Sequence, residues 1–289
     1  MASPQYIFFL GLHPDISAAE AWAVLEREGL HPQCLAANDR FLHLTVSTEL
    51  PAGFIDRLGG TERIARVIAK QDAIFSVASV ADALGLESNT KLALGISGLG
   101  TSPEYPRRLG YDLKDFLKEQ GHRIRVIVPK KKQQRLNTAS VLFNRLTTLP
   151  HRELTVVKDA EQYLLTQTVQ VQDITAYELR DTKRPARDAK VGMLPPKLAQ
   201  MMLNLASSQS SASSDQLSIW DPFCGMGTLL QEGWLLGHQM YGSDASPRMV
   251  RSAEKNLAWL SGHFSVSAEL RPHVKQHDAA HMAPTSRLH

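Results

Sequence analysis

The chain has 289 residues, 43% of them hydrophobic, and a formal charge of +3. That is enough for one large or two to three small domains with buried cores. The near-neutral balance excludes a strong global field, so any nucleic-acid surface has to be a local patch.

The two cysteines, Cys34 and Cys224, form neither a C-x-x-C pair nor zinc-ligand spacing. This argues against a disulfide framework and a structural metal, and for a reducing, cytoplasmic setting. The first apolar run, Tyr6–Leu12, has no basic leader and is too short to cross a membrane, so no membrane or metal partner is expected. Nothing in the composition speaks to oligomeric state.

Tyr6–Leu10 predicts a buried strand and Ala18–Glu28 a helix stopped by Gly29. Cys34–Ala37 and Phe41–Val46 predict two strands joined at Asn38-Asp39. Pro51–Leu58 and Thr61–Ala69 read as helical. The order β-α-β-β-α suggests a small ferredoxin-like α+β domain over residues 1–72. His13, His31 and His43 are scattered and read as ordinary surface or core histidines.

Over residues 73–150, Ala73–Val80 and Lys91–Ser97 read as strands and Leu109–Glu119 as an amphipathic helix ended by Gly121. Arg123–Val128 alternates basic with apolar, as a half-buried strand does. Pro129 stops it, KKKQQR follows, and Ser140–Leu146 is helical or extended. Arg123, Arg125, Lys130, Lys131, Lys132 and Arg135 form a basic cluster that is either a hydrated turn or a phosphate-binding patch. Phosphate contacts of this kind position a nucleic acid without reading its sequence.

Glu153–Val157 and Tyr163–Val171 read as strands of a connecting region, residues 151–190, that crosses from one module to the next. A second basic segment ends it: Arg180, Lys183, Arg184, Arg187 and Lys190. The Arg184-Pro185 step favours an extended chain. In residues 191–289, Pro195-Pro196 opens a helix with Leu198, Met201, Met202 and Leu205 on one face. Ser207–Asp215 reads as a serine-rich surface loop.

Leu217 to Asp244 then reads as strand, glycine loop, helix and strand. Leu217–Trp220 ends on Asp221, PFCGMGT supplies Gly225 and Gly227, and Gln239–Gly242 leads to Asp244, 23 residues after Asp221. This is half of a doubly wound nucleotide fold, whose ligands lie at the carboxyl ends of the strands. A dinucleotide needs G-x-G-x-x-G, but Leu230 occupies the third glycine position. Asp221 at the mouth of the loop would also repel a pyrophosphate. A carboxylate there suits a ligand with an amino group and a sulfonium, namely S-adenosyl-L-methionine (SAM), and Asp244 can accept both hydroxyl protons of its ribose. Beyond it, Ser246–Leu260 is a helix and His273–His277 a third strand ending near Asp278. That carboxylate is either an adenine ligand or a plain helix cap. Cys224 has no histidine partner nearby in sequence and reads as loop filling rather than as a nucleophile.

DPFCGMGT resembles the SAM motif of methyltransferases acting on exocyclic amines of RNA bases. RDTKRPARDAKVGMLPPKLAQMMLNLA and YGSDASPRMVRSAEKNLAWL resemble the entry segment and second motif of the THUMP-domain tRNA guanosine-N2 methyltransferases. The resemblance is specific from Glu153 to about Leu260 and looser before that. It implies a THUMP-like RNA-binding region over residues 73–150 and a Rossmann-like SAM domain over 191–289, with the loop Gly192–Lys197 closing over the donor. It implies donor contacts at Asp221, Pro222, Phe223, Gly225, Gly227, Thr228, Asp244, Asp278 and Ala279. It further implies tRNA contacts at the basic cluster and at Arg184 and Arg187. An rRNA or DNA amino-methyltransferase, or an RNA-binding protein with a degenerate SAM fold, are the alternatives.

The family's fourth-strand Asn/Asp-Pro-Pro-aromatic motif does not follow Asp278, so the SAM domain is expected to be partial, with its catalytic residues unknown. A chain truncated at that point is expected to be nearly inactive alone, because alignment of the target amine contributes about 7–11 kcal/mol in favourable cases.

Overall fold

The computed structural model describes residues 3–87, 89–188, 192–208 and 216–279. The chain divides into two compact units. One comprises Met1–Ala18, Leu30–Ile55 and Thr61–Gln172, and the other Ala19–Gly29, Asp56–Gly60 and Asp173–His289.

In chain order the elements start with β1 (Gln5–Leu10), α1 (Pro14–Arg27), β2 (Gln33–Ala37), β3 (Phe41–Thr45), β4 (Thr61–Gln71), α2 (Val77–Leu84) and β5 (Lys91–Leu99). They continue with α3 (Tyr105–Glu119), β6 (Arg123–Ile127), α4 (Thr138–Phe143), β7 (Arg152–Asp159), β8 (Gln162–Val171) and α5 (Ile174–Glu178). The remainder are α6 (Pro196–Ser208), β9 (Ser218–Asp221), α7 (Thr228–Leu235), β10 (Gln239–Asp244), α8 (Pro247–His263) and β11 (His273–Gln276).

The first unit is built on one mixed sheet of eight strands, ordered β2-β3-β1-β4-β8-β7-β5-β6. β5 pairs in parallel with both β6 and β7, and the other pairings are antiparallel. Alternate residues of the inner strands face opposite cores. Leu94, Ile96, Leu154 and Val156 meet Leu109, Leu113 and Leu117 of α3, while Ile7, Phe9, Ala65, Val157 and Leu164 form a separate cluster.

Several local expectations are corrected here. Thr61–Ala69, expected to be helical, is strand β4, paired on both sides with β1 and β8. Ile64, Val67 and Ile68 mimic helical spacing, but an inner strand covered on both faces needs no polar–apolar alternation. Within Pro51–Leu58 only Phe54–Arg57 is helical, as one 3-10 turn. Ala73–Val80, expected as a strand, gives way to helix α2. Its start is a capping box between Ser76 and Ser79, and its end is Gly85 in the left-handed region at φ 53°. Finally, β7 and β8 are not bridging strands of a linker. They are inner strands of the eight-stranded sheet, and β8 joins β4 to β7, so residues 1–72, 73–150 and 152–171 share one sheet.

The inner strands bury a charged network. Arg63 Nη1 donates to Glu153 Oε1 at 2.7 Å, and Ser97 Oγ and Thr168 Oγ1 donate to the same carboxylate at 2.9 and 2.7 Å. Arg63 also donates to the Leu136 carbonyl. With Arg63 at 2% and Glu153 at 0% exposure, each charge depends on the other, because an unpaired buried ion is strongly destabilising.

The second unit contains a parallel three-stranded sheet ordered β11-β10-β9. Its core joins Leu230 and Trp234 of α7, Met240 of β10, Leu257 and Leu260 of α8, and Leu203 of α6. This is the Rossmann-like arrangement expected of the segment. No helix among the described residues is long and apolar enough to cross a membrane.

Replacing Glu153 with Ala strands the Arg63 guanidinium in the sheet and is expected to cost about 3–5 kcal/mol. The double replacement Arg63→Met with Glu153→Leu is expected to recover most of that loss. Urea unfolding followed by circular dichroism measures both, and a single variant within about 0.5 kcal/mol of the parent would contradict the assignment.

Candidate functional site

β9 and β10 run in parallel with Gly242 opposite Asp221. Asp221 therefore ends one strand and Asp244 the next, at the same carboxyl edge. Between β9 and α7 the loop Pro222–Gly227 turns back over that edge. Two left-handed residues make the turn, Gly225 at φ 51° and Gly227 at φ 78°, a conformation that costs a side-chain-bearing residue roughly 1–3 kcal/mol. A Cβ on Gly227 would also lie 3.1 Å from the Ala253 Cβ of α8, so this glycine additionally lets α8 pack against the loop.

The loop's backbone is tied down. Cys224 N donates to the Ser243 carbonyl at 2.9 Å and Gly227 N to the Cys224 carbonyl at 2.7 Å. Asp221 Oδ1 accepts from Phe223 N at 3.1 Å. Asp244 Oδ2 accepts from Gly225 N at 3.0 Å, and its Oδ1 accepts from Ser246 N at 2.9 Å.

Asp244 thus braces the glycine loop as well as closing the strand. A carboxylate offers about four acceptor positions, so its oxygens retain capacity for hydroxyl donors. Neither Asp221 nor Asp244 has an ion-pair partner among the described residues. Partial burial raises the Asp221 carboxyl above its usual range. The Phe223 amide opposes that shift, and the nearby charge of Asp244 adds to it.

Behind the loop lies a set of buried polar contacts that sequence reasoning missed. Asn256 of α8, 0% exposed, donates to the Met226 and Ala186 carbonyls at 3.0 Å each and accepts from Ala186 N at 2.9 Å. Arg180 Nε donates to Glu232 Oε1 at 2.8 Å, with the guanidinium over Tyr177 at 4.3 Å and Phe264 at 5.4 Å. Burial raises the Glu232 carboxyl, and Arg180 works against that shift. An asparagine and a glutamate on amphipathic helices carry no sequence mark of such roles. Only their helical phase, which turns them inward, gave a signal.

The remaining site residues divide by environment. Pro222 and Thr228 flank the glycines, Thr228 buried and Phe223 76% exposed. Asp278 is exposed and Ala279 half-buried, just beyond the end of β11 at Gln276.

Arg184, expected on an exposed strip, is instead 3% exposed. It donates to Thr228 Oγ1 at 2.6 Å and to Met193 Sδ at 3.2 Å. The extended Arg-Pro step points it at the first turn of α7 rather than at solvent. Arg187 is exposed and donates to the Thr182 carbonyl at 3.0 Å. Lys190 and most of the serine-rich stretch, 209–215, lie outside the described residues.

In the first unit Arg123 and Arg125 are exposed on edge strand β6, and Lys130, Lys131 and Lys132 are exposed in the turn that follows. Arg135 departs from the cluster. It pairs with Glu62 at 2.8 Å and lies over the Phe9 ring at 4.9 Å, and burial lowers its pKa.

With this geometry in view, the chain can be compared with known proteins. Residues 183–280, the segment holding the glycine loop and both carboxylates, match the family described as UPF0020, RMKL-like, methyltransferase domain.

Among curated proteins, a stretch of 66 residues is 39% identical to the tRNA (guanine(10)-N2)-dimethyltransferase of Methanothermobacter thermautotrophicus. It is 38% identical to the enzyme of the same name from Pyrococcus abyssi. In each case the match covers 23% of this chain and 18% of the relative.

Among solved structures the chain is similar to TrmN from Thermus thermophilus, at 19% identity and TM-score 0.49, covering 96% of this chain and 74% of that one. It is also similar to a possible methylase from Clostridium difficile 630, at 12% identity and TM-score 0.49, covering 99% and 78%.

Cys224, within the loop, is buried, and burial together with the charges of Asp221 and Asp244 pushes its thiol up to about 12. Cys34 is exposed. A disulfide reagent at pH 8 is therefore expected to titrate one thiol in the folded protein and two in denaturant, since the thiolate is the reactive form. Rapid reaction of both in the native state would contradict the closed loop.

Proposed function

We propose that this protein belongs to a SAM-dependent methyltransferase of tRNA that modifies the N2 amine of a guanosine. The observation that carries the reading is the pair of carboxylates ending β9 and β10, neither neutralised by a cation among the described residues. Two adjacent anions suit a positively charged ligand with hydroxyl donors and disfavour a pyrophosphate.

The residues fit SAM on that test. Asp221 faces the cationic, methionine end, and Asp244 offers its remaining acceptor positions to the ribose hydroxyls. Gly225 and Gly227 keep the backbone bare, so the ligand can approach without meeting a Cβ. Pro222 and Phe223 would flank the same ligand, Thr228 supports the loop from its buried contact with Arg184, and Asp278 and Ala279, just past β11, would hold the adenine.

When bound, SAM supplies a methyl group already activated by its sulfonium. The protein's own contribution is then alignment and the exclusion of competing geometry. Asn256, Arg184 and the Arg180–Glu232 pair serve that end by fixing the loop and the start of α7. The choice of tRNA and of guanine N2 rests on the names of the two curated relatives and on the resemblance of the entry segment. Exposed cations at Arg123, Arg125, Lys130, Lys131 and Lys132, with Arg187, offer phosphate contacts suited to such a partner.

Mass spectrometry of nucleosides from tRNA of cells lacking the gene tests this reading. An N2-methylguanosine is expected to vanish at one tRNA position and to return when the gene is restored. An unchanged tRNA modification profile would overturn it.

A further inference from the structure

We propose that a basic cleft at the N-terminal ends of β5 and β6 binds a phosphate group of an RNA chain. The nature of the partner rests on the tRNA reading above; the cleft itself does not. It has a volume of about 590 Å3 and is lined by nine residues, six of them basic: Lys91, Lys118, His122, Arg123, Arg125 and His151. No carboxylate lines it, and the floor is apolar, made by Leu92, Ala93 and Ile124.

The fold brings these groups together from four separate places. β5 and β6 are parallel, with Lys91 opposite Arg123 and Ala93 opposite Arg125, so the two arginines share one face of the edge strand. Lys118 comes from the last turn of α3 and His122 from the turn that follows it. His151 comes from the residue before β7, and its Nδ1 accepts from Ala93 N at 2.9 Å. That bond leaves the ring proton on Nε2, so the imidazole is a donor on its other side.

Two observations set the cleft apart from an ordinary hydrated basic face. First, His122 is 8% exposed and its Nδ1 has no hydrogen-bond partner, and a buried polar atom left unsatisfied calls for an explanation. Second, no carboxylate pairs with Lys91, Lys118 or Arg123 among the described residues. Guanidinium, ammonium and imidazole donors converging on one concavity are the chemistry of phosphate recognition.

The cleft is also distinct from the turn Lys130–Lys132. That turn follows the carboxyl end of β6 whereas the cleft lies at its amino end, and the extended chain from Arg125 to Lys130 spans up to roughly 16 Å. The pair gives one RNA chain two anchoring points.

The test is tRNA binding by fluorescence anisotropy across 50–200 mM salt, with the full chain and its triple variant Lys91→Ala, Lys118→Ala, Arg123→Ala. All three side chains are exposed, so circular dichroism should match the parent. Affinity is expected to fall about tenfold or more, and the slope of log affinity against log salt to shrink by about 2. In a histidine-labelled sample, the His122 ring resonances are expected to move on adding tRNA. Repeating this with tRNA stripped of its 5′ phosphate assigns the site: a lost response means the terminal phosphate, a retained one the backbone.

Wild-type affinity and slope in the triple variant would overturn the proposal. So would a His122 response to inorganic phosphate but not to tRNA. The outcomes separate from those of the functional reading: cleft-dependent tRNA binding in a protein whose loss leaves tRNA methylation intact would sink the function and keep the cleft.

Discussion

Two negative charges end adjacent parallel strands, and no cation among the described residues pairs with either. Partial burial sharpens the conflict, as the raised carboxyl of Asp221 records. Elsewhere in the second unit Glu232 pairs with Arg180, and the buried Glu20 carboxylate is held by the Gly59 and Gly60 amides and by Asn204. The carboxylates at the two strand ends form a local concentration of negative charge, which a cationic ligand would relieve. The rest of the unit maintains this arrangement.

It does so by making the glycine loop rigid from beneath. Gly225 and Gly227 take conformations that other residues adopt only at a cost, and hydrogen bonds from Asp244, Ser243 and Asn256 fix what the glycines permit. Arg184 reaches the first residue of α7, so the segment before the sheet is tied to the loop that follows its first strand. Asp244 has a double duty. It braces Gly225 from within the protein and still has acceptor capacity for a ligand. In the first unit, the same logic of paired burial appears in Arg63 and Glu153, while Lys91, Lys118 and Arg123, which have no carboxylate partner among the described residues, share the cleft at the amino ends of β5 and β6.

Much of this was legible in the sequence where a local rule and a tertiary demand agree. Asp221, the two glycines and Asp244 could be placed because strand ends, glycine turns and acidic closers have short-range signatures. β4 could not, because Ile64, Val67 and Ile68 satisfy a helical period while the strand is covered on both faces. α2 was hidden by the β-branched and aromatic residues Ile74, Phe75, Val77 and Val80, although Ser76 and Gly85 cap it cleanly. The inward turn of Arg184 and Arg135 was also invisible, since a basic residue in a basic stretch looks exposed until its partner, Thr228 or Glu62, is brought to it by the fold. Asn256 and the cleft around His122 depend wholly on contacts between distant segments.

The most direct measurement is calorimetric titration of SAM into the protein and into its Asp221→Asn variant. The parent should bind, and the variant, which keeps the shape but loses the charge, should bind at least about tenfold more weakly, or roughly 1.4 kcal/mol. A variant that binds as tightly as the parent would contradict the account, and so would a parent that binds a nicotinamide dinucleotide in preference to SAM.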